Sequence, residues 1–160
     1  MNELQMQLDA LMRLYGAKEE TEREKAAREI RAMMMEGFYL PCRDPEMVIR
    51  DILLELGAPD HLVGHPYVVY GIQLVVEDRT YIDSITFGLY PQIAARFDTT
   101  AARVERAIRH LIEVTWFRGD LDILEKYFGN TISASRGKPT NGEFIARMAN
   151  VVKASVQKAA

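Results

Sequence analysis

The chain has 160 residues, 48% of them hydrophobic and 27% charged, and a formal net charge of −3 at pH 7. This length suffices for one well-buried domain with a terminal extension, and the composition is that of an ordinary soluble globular protein. The one cysteine, Cys42, excludes an internal disulfide, the N-terminus lacks the regions of a secretion signal, and no apolar run reaches the roughly 18–20 residues of a membrane span. We therefore expect a cytoplasmic protein that does not associate with a membrane.

The charge is unevenly distributed along the chain. Residues 1–90 carry nine Lys and Arg against 16 Asp and Glu, whereas residues 91–160 carry 11 against seven. A basic binding face on an otherwise acidic protein produces this asymmetry, and so does an acidic N-terminal helix.

Two short amphipathic helices are predicted within residues 1–43. An apolar stripe with helical spacing covers 2–15, and the capping box Thr21-x-x-Glu24 opens a second helix over 21–36. Because short charged helices need a partner to cover their apolar stripes, we expect a helical extension. It either packs as a hairpin on the main domain or serves as a dimerisation or partner-docking arm.

From residue 44 onward the patterns again favour helices. Asp44 is a good N-cap and Pro45 a favourable first residue for a helix that ends before Gly57. A loop through 64–66 is expected to lead into the apolar stretch 67–76, which we interpret as a buried helix because no partner strand occurs elsewhere.

The rest of the chain continues this all-α prediction. Pro91 is expected to break or kink a helical pattern near Leu89-Tyr90. The helices predicted are 82–97, 100–117, 121–128 and, after a polar loop at 131–139, one that starts at the capping box Thr140-x-x-Glu143. We therefore expect a compact multi-helix domain over 44–160, preceded by the extension over 1–43.

The segment from Ile93 to Phe117 has the features of a helix-turn-helix. Ala94 supplies the small residue that a first helix needs where it faces the second. Asp98 or Thr99 begins the turn and is expected to cap the second helix. The second helix has an inner side that is apolar apart from one threonine: Val104, Ile108, Leu111 and Thr115.

The outer side of the second helix carries side chains suited to base recognition. Arginine can donate two hydrogen bonds to guanine, and glutamate can accept one from the cytosine amino group. Because the first turns of a recognition helix lie nearest the bases, we assign base reading to Arg103, Glu105 and Arg106. The alternative is an exposed face whose Glu and Arg side chains merely pair in solvent.

Contacts to the DNA backbone are assigned to the neighbouring positions. Arg109 and His110 lie one turn later, where phosphates are closer than bases. The main-chain N–H groups at Thr99 and Thr100 lie at a helix N-terminus, which favours anions.

The residues from Thr99 to Val114, Thr-Thr-Ala-Ala-Arg-Val-Glu-Arg-Ala-Ile-Arg-His-Leu-Ile-Glu-Val, also carry a resemblance. They resemble the recognition helix of the stage-zero sporulation protein A family of transcription factors. The supporting matches are Ser84-Ile85-Thr86, Leu89-Tyr90-Pro91, Trp116-x-Arg118-Gly119 and Lys138-Pro139-Thr140-Asn141-x-Glu143-Phe144-Ile145-Ala146. The similarity runs from about Val48 to Val156.

The resemblance implies an all-helical effector domain that binds promoter DNA as a homodimer, contacts an RNA polymerase sigma factor and acts in sporulation. It supports the base and backbone assignments above, and it adds backbone contacts from Lys138, Thr140 and Asn141. The segment 77–87 corresponds to the polymerase-contacting surface of the family but matches it poorly.

The chain also departs from the family. Residues 1–43 are too short for the receiver domain and show no β/α alternation, and Met1 with its own helical pattern predicts a complete short protein. Ala102 stands where members of the family can have a hydroxyl residue, and Asp98 stands where they can have an amide. Together these changes remove one phosphate donor and add a negative charge. The alternative function is a receiver-less regulator that binds a related regulator or a sigma factor without binding DNA.

Enzyme and metal chemistry have little support in the sequence. The pair His61 and His65 has no Cys or carboxylate cluster beside it, and Gly64 and Pro66 disfavour a regular helix through both. Because no glycine-rich phosphate loop, nucleophile elbow or metalloprotease signature occurs, we expect no enzyme, no cofactor and no metal.

Overall fold

The computed structural model describes residues 44–129 and 137–157, together with Lys25, Ala27 and Arg28, which are helical. The predicted helix over 2–15, the rest of the one over 21–36 and most of the polar loop at 131–139 lie outside the described residues. Residues 43–158 form one compact unit, to which all the helices below belong. The extension and its role stay predictions.

All regular secondary structure in the described residues is helical, so the predicted all-α fold is confirmed. The elements in chain order are α1 (Pro45–Glu55), α2 (Gly64–Glu77), α3 (Thr80–Asp83), a π-helical turn (Ile85–Leu89), α4 (Tyr90–Arg96), α5 (Ala101–Arg118), α6 (Leu121–Phe128) and α7 (Asn141–Gln157). None of these helices is both long enough and apolar enough to cross a membrane.

Helix α2 lies at the centre of the unit. It packs most extensively against α5 and α7 and also contacts α1 and α4. Val68 and Ile72 of α2 are fully buried in the core. At one end of the core, Phe128 of α6 stacks on Phe144 of α7 with ring centroids 5.4 Å apart, and Trp116 of α5 meets Phe128 edge-on at 4.9 Å. These ring contacts link the C-terminal part of α5 to α6 and α7.

Side chains cap three of the helix starts, and the first of them is the predicted Asp44. Asp44 accepts a hydrogen bond from the Glu46 amide at 3.1 Å, and Asp120 accepts one from the Asp122 amide at 2.9 Å. Thr100 caps α5 in the same way, so the prediction of Asp98 or Thr99 as this cap is wrong. Each cap gives an acceptor to an amide that has none within its helix.

The loop predicted at residues 64–66 is wrong, because α2 already begins at Gly64. Pro66 is the third residue of the helix, where its missing N–H would have had no intrahelical acceptor, so proline is tolerated there. His65 is buried in this first turn, and desolvation, with Arg50 nearby, lowers its pKa. The neutral imidazole is therefore favoured.

The break predicted near Leu89-Tyr90 lies earlier in the chain, because Ser84 has non-helical dihedral angles whereas Leu89 and Tyr90 have helical ones. Helix α3 ends at Asp83, and the Leu89 amide donates to the Ser84 carbonyl five residues before it, at 3.1 Å. Regular α-helix resumes only at Tyr90, which places Pro91 in the first turn of α4. Pro91 has no amide hydrogen to donate, and a position in the first turn of an α-helix tolerates this loss.

Helix α7 starts with the predicted capping box. Thr140 Oγ1 accepts from the Glu143 amide at 3.2 Å, and Glu143 Oε2 accepts from the Thr140 amide at 2.9 Å. We expect Thr140→Ala to lower the free energy of unfolding by about 1 kcal/mol in urea denaturation, since one end of this reciprocal pair is lost. Thr140→Ser keeps the hydroxyl and is expected to retain most of the stability. Equal stability of all three proteins would show that the cap contributes nothing.

Candidate nucleic-acid interface

Helices α4 and α5 are joined by a tight turn over residues 97–100. The Thr99 amide donates to the Ala94 carbonyl at 3.0 Å, and Asp98 has a φ of 49°, a left-handed conformation that Asp tolerates better than most residues. Thr100 Oγ1 then accepts from the Arg103 amide at 3.3 Å. Ala94 is buried, as predicted, and α4 packs against α5.

The predicted inner side of α5 is confirmed. Val104, Ile108, Leu111 and Thr115 have no exposed surface, and Ile112 is buried with them. The Thr115 hydroxyl donates to the Leu111 carbonyl at 2.7 Å, so its burial leaves no hydroxyl without a partner. Because this side faces the core, the opposite side of α5 faces solvent.

The outer side of α5 presents the predicted base-reading residues. Arg103, Glu105 and Arg106 are exposed. Within the part of the chain that the structure describes, neither the Arg103 nor the Arg106 side chain makes an ion pair or a hydrogen bond. The alternative for this face was that its Glu and Arg side chains pair with each other in solvent. Among the described residues, the guanidinium groups of Arg103 and Arg106 form no such pair.

The predicted backbone-contacting residues of α5 continue this face. His110 is exposed, and Arg109 is half-buried, with its Nη1 donating to the Pro139 carbonyl at 3.4 Å. Arg109 also borders a shallow depression with Ala102, Glu105 and Arg106. Thus Arg109 connects the outer side of α5 to the segment that precedes α7.

The segment before α7 forms a flank beside α5. Lys138 Nζ lies 3.0 Å from Glu113 Oε1, and this hydrogen bond lowers the pKa of Glu113, to which Arg109 and His110 also contribute. Both partners are more than 40% exposed, so this pair stabilises the fold little. The main consequence of the pair is that Glu113 partly neutralises the charge of Lys138, which is predicted to face a DNA phosphate.

The other two residues of this flank have roles inside the domain. Thr140 caps α7, as described above. Asn141 is buried: its Nδ2 donates to Tyr90 Oη at 3.0 Å and to the Glu105 carbonyl at 3.1 Å. Burial raises the pKa of Tyr90, so its hydroxyl stays neutral at physiological pH.

Two residues that support this face were not assigned a role from the sequence. Tyr90 matches the family pattern, but its link to Asn141 spans 51 positions of the chain. Gly64 packs directly against α5, because a Cβ on it would lie 2.2 Å from the Ala107 carbonyl oxygen. Its position before Pro66 is typical of a loop and gave no signal of this contact.

The described residues contain no group of three His, Cys, Asp or Glu side chains that could hold a metal ion. His61 lies in the turn before α2 and His65 in its buried first turn. The exposed basic side of α5 is the candidate site because of its exposed arginine side chains.

One protein family matches the chain across this unit. The family described as "Sporulation initiation factor Spo0A C terminal" matches residues 49–152, about two-thirds of the sequence, from α1 to α7. The chain belongs to this family. The resemblance found in the sequence is confirmed.

Family membership settles the function in general terms. The Spo0A C-terminal domain is a DNA-binding effector domain and not an enzymatic one, so the protein is a DNA-binding transcription regulator of the sporulation type. The match lends no support to the alternative of a regulator that does not bind DNA.

Proposed function

We propose that the protein binds a specific double-stranded DNA sequence by placing α5 in the major groove, with α4, the turn and α5 acting as a helix-turn-helix. The observation that carries the proposal is the outer side of α5, where the Arg103 and Arg106 guanidinium groups are exposed and unpaired among the described residues. The inner side of α5 has no exposed surface, and its burial in the core holds the helix in place.

Base reading is proposed for the first two turns of α5. Arg103 and Arg106 each donate to guanine O6 and N7, and Glu105 accepts from a cytosine amino group. All three side chains are exposed near the N-terminus of the helix, the end that lies nearest the bases in this class of motif.

Backbone contacts are proposed for the ends and flanks of α5. Thr99 offers its side-chain hydroxyl, Thr100 offers its main-chain N–H, and Arg109 and His110 offer their side chains, on either side of the base-reading turns. The main-chain N–H of Thr99 is already used, because it donates to the Ala94 carbonyl. Among the described residues, these lie on the same helix or on the turn before it.

On the flank before α7, each residue offers a different donor. Lys138 brings an ammonium group, and the Thr140 hydroxyl can donate to phosphate while its oxygen accepts from Glu143. For Asn141, the main-chain N–H at the first position of α7 is the group left for phosphate, since the side-chain amide faces inward.

Protein partners are proposed on the strength of the resemblance. Phe87 in the π-helical turn is 88% exposed and lies close in the chain to exposed Asp78 and Asp83. These side chains together offer an acidic and aromatic surface to an RNA polymerase sigma factor.

The resemblance also supports binding to DNA as a homodimer. The ratio of chains to duplex at saturation tests this stoichiometry. A chromosomal target would place this activity in the cytoplasm.

Fluorescence anisotropy tests the proposal with two labelled duplexes. One contains the target box of the family, and the other is a scrambled duplex of the same composition. We expect tighter binding to the target box, and affinity for both that falls steeply as salt rises, because phosphate contacts release counterions. Equal affinities, or binding without salt dependence, would contradict sequence-specific DNA binding.

The Glu113–Lys138 pair leads to a separate prediction. Glu113→Gln removes a negative charge from the proposed face and releases Lys138, so we expect about fivefold tighter binding to both duplexes at low salt. The salt dependence should steepen by about one phosphate contact. Glu125→Gln removes the same charge from an exposed position of α6 and serves as the control. If both variants behave alike, Glu113 does not face DNA.

A further inference from the structure

We propose that Asn141 is a positioning residue that sets α5 against α4 and thereby the sequence specificity of DNA recognition. The inference rests on the proposed function of α5. It concerns the buried side-chain amide of Asn141 and is therefore separate from the backbone contact proposed for its main chain.

The Asn141 side chain joins three helices with one group. From the first position of α7, its Nδ2 donates to Tyr90 Oη of α4 at 3.0 Å and to the Glu105 carbonyl of α5 at 3.1 Å. Glu105 lies between Arg103 and Arg106 on the first turns of α5. The bond thus holds the backbone at the centre of the proposed base-reading turns.

The amide can take only one orientation in this site. The Glu105 carbonyl is an acceptor and therefore requires the NH₂ group; turning the amide over would place two oxygens face to face. As a consequence, Asn141 Oδ1 is buried without a hydrogen-bond partner among the described residues. The cost of burying this oxygen unpaired offsets part of the stability gained from the two hydrogen bonds, whereas the geometry that these bonds fix is kept in full.

A fixed direction for α5 matters for the proposed reading of bases. A bidentate arginine–guanine contact needs both donors aligned with the base edge, so a small rotation of α5 weakens it. The Tyr90 hydroxyl links this direction to α4, whose Ala94 also contacts the turn. Specificity should therefore depend on the Asn141 amide more than stability does.

The test compares three variants of the full chain. Asn141→Leu removes both bonds, and Tyr90→Phe removes only the bond to α4. Thr115→Val is the control, since it removes a buried hydroxyl whose bond stays within α5. For Asn141→Leu we expect the ratio of scrambled to target-box dissociation constants to fall about tenfold. A smaller fall is expected for Tyr90→Phe and none for Thr115→Val.

A second measurement does not involve DNA. Residual dipolar couplings of the α4 and α5 amides report the relative orientation of the two helices, which we expect to change in Asn141→Leu and not in Thr115→Val. An unchanged ratio of dissociation constants or unchanged couplings in Asn141→Leu would overturn the positioning role. The proposed function would still stand in that case, provided that the wild type binds the target box more tightly than the scrambled duplex. If the wild type itself does not discriminate, the proposed function fails and the couplings alone decide. If Asn141→Leu does not fold, Tyr90→Phe is judged by the same two criteria.

Discussion

Replacing Arg106 by alanine is expected to weaken binding to the target box by about 10- to 100-fold, the effect of losing one bidentate contact to guanine. Arg106 is exposed on the outer side of α5, one turn after Arg103, and makes no ion pair among the described residues. Its guanidinium group is therefore free to bind a base without first breaking a contact within that part of the chain. Fluorescence anisotropy with target-box and scrambled duplexes measures both the affinity and the specificity.

A matched control separates base reading from the loss of positive charge. Arg79→Ala removes the same charge from an exposed residue that lies beside Asn150, in the second half of α7. We expect this variant to keep the wild-type preference for the target box. If Arg106→Ala also keeps that preference and loses affinity equally for both duplexes, Arg106 contacts phosphate and does not read a base.

Replacing Gly64 by alanine is expected to lower the free energy of unfolding by about 1–3 kcal/mol, the usual range for overpacking a core. The added Cβ would lie 2.2 Å from the Ala107 carbonyl oxygen and 3.1 Å from Leu111 Cβ. Main-chain atoms of a helix cannot turn aside as a flexible side chain does, so α2 and α5 have to separate. Urea denaturation measures the loss of stability, and anisotropy measures any accompanying loss of DNA affinity.

Gly88→Ala provides the comparison for this variant. A Cβ on Gly88 would meet its nearest atom, Ser84 Cβ, at 3.5 Å, which is ordinary contact. We expect this change to affect stability much less than Gly64→Ala does. Similar stability of both variants would mean that α2 and α5 adjust to the extra methyl group, and that Gly64 is not required for their close approach.

The positions of most helices followed from the sequence because their signals are local. A cap and the amide that it binds are two or three residues apart, as at Asp44 and Thr140. A helical face repeats within four residues, so the buried side of α5 was readable from Val104 to Thr115. The start of α2 was mistaken because a Gly and a Pro close together usually indicate a loop, and only burial against α5 shows otherwise.

Among the predicted site residues, the sequence alone placed Arg103, Glu105 and Arg106 on one exposed helix face, and the motifs around them identified the family. Only the tertiary structure decided that the Asn141 amide points inward to Tyr90, that Lys138 pairs with Glu113 and that Gly64 touches α5. Lys138 and Glu113 are 25 positions apart in the chain, and Asn141 and Tyr90 are 51 positions apart. The distances between such residues depend on how the helices pack, because no local rule of spacing relates positions so far apart in the chain.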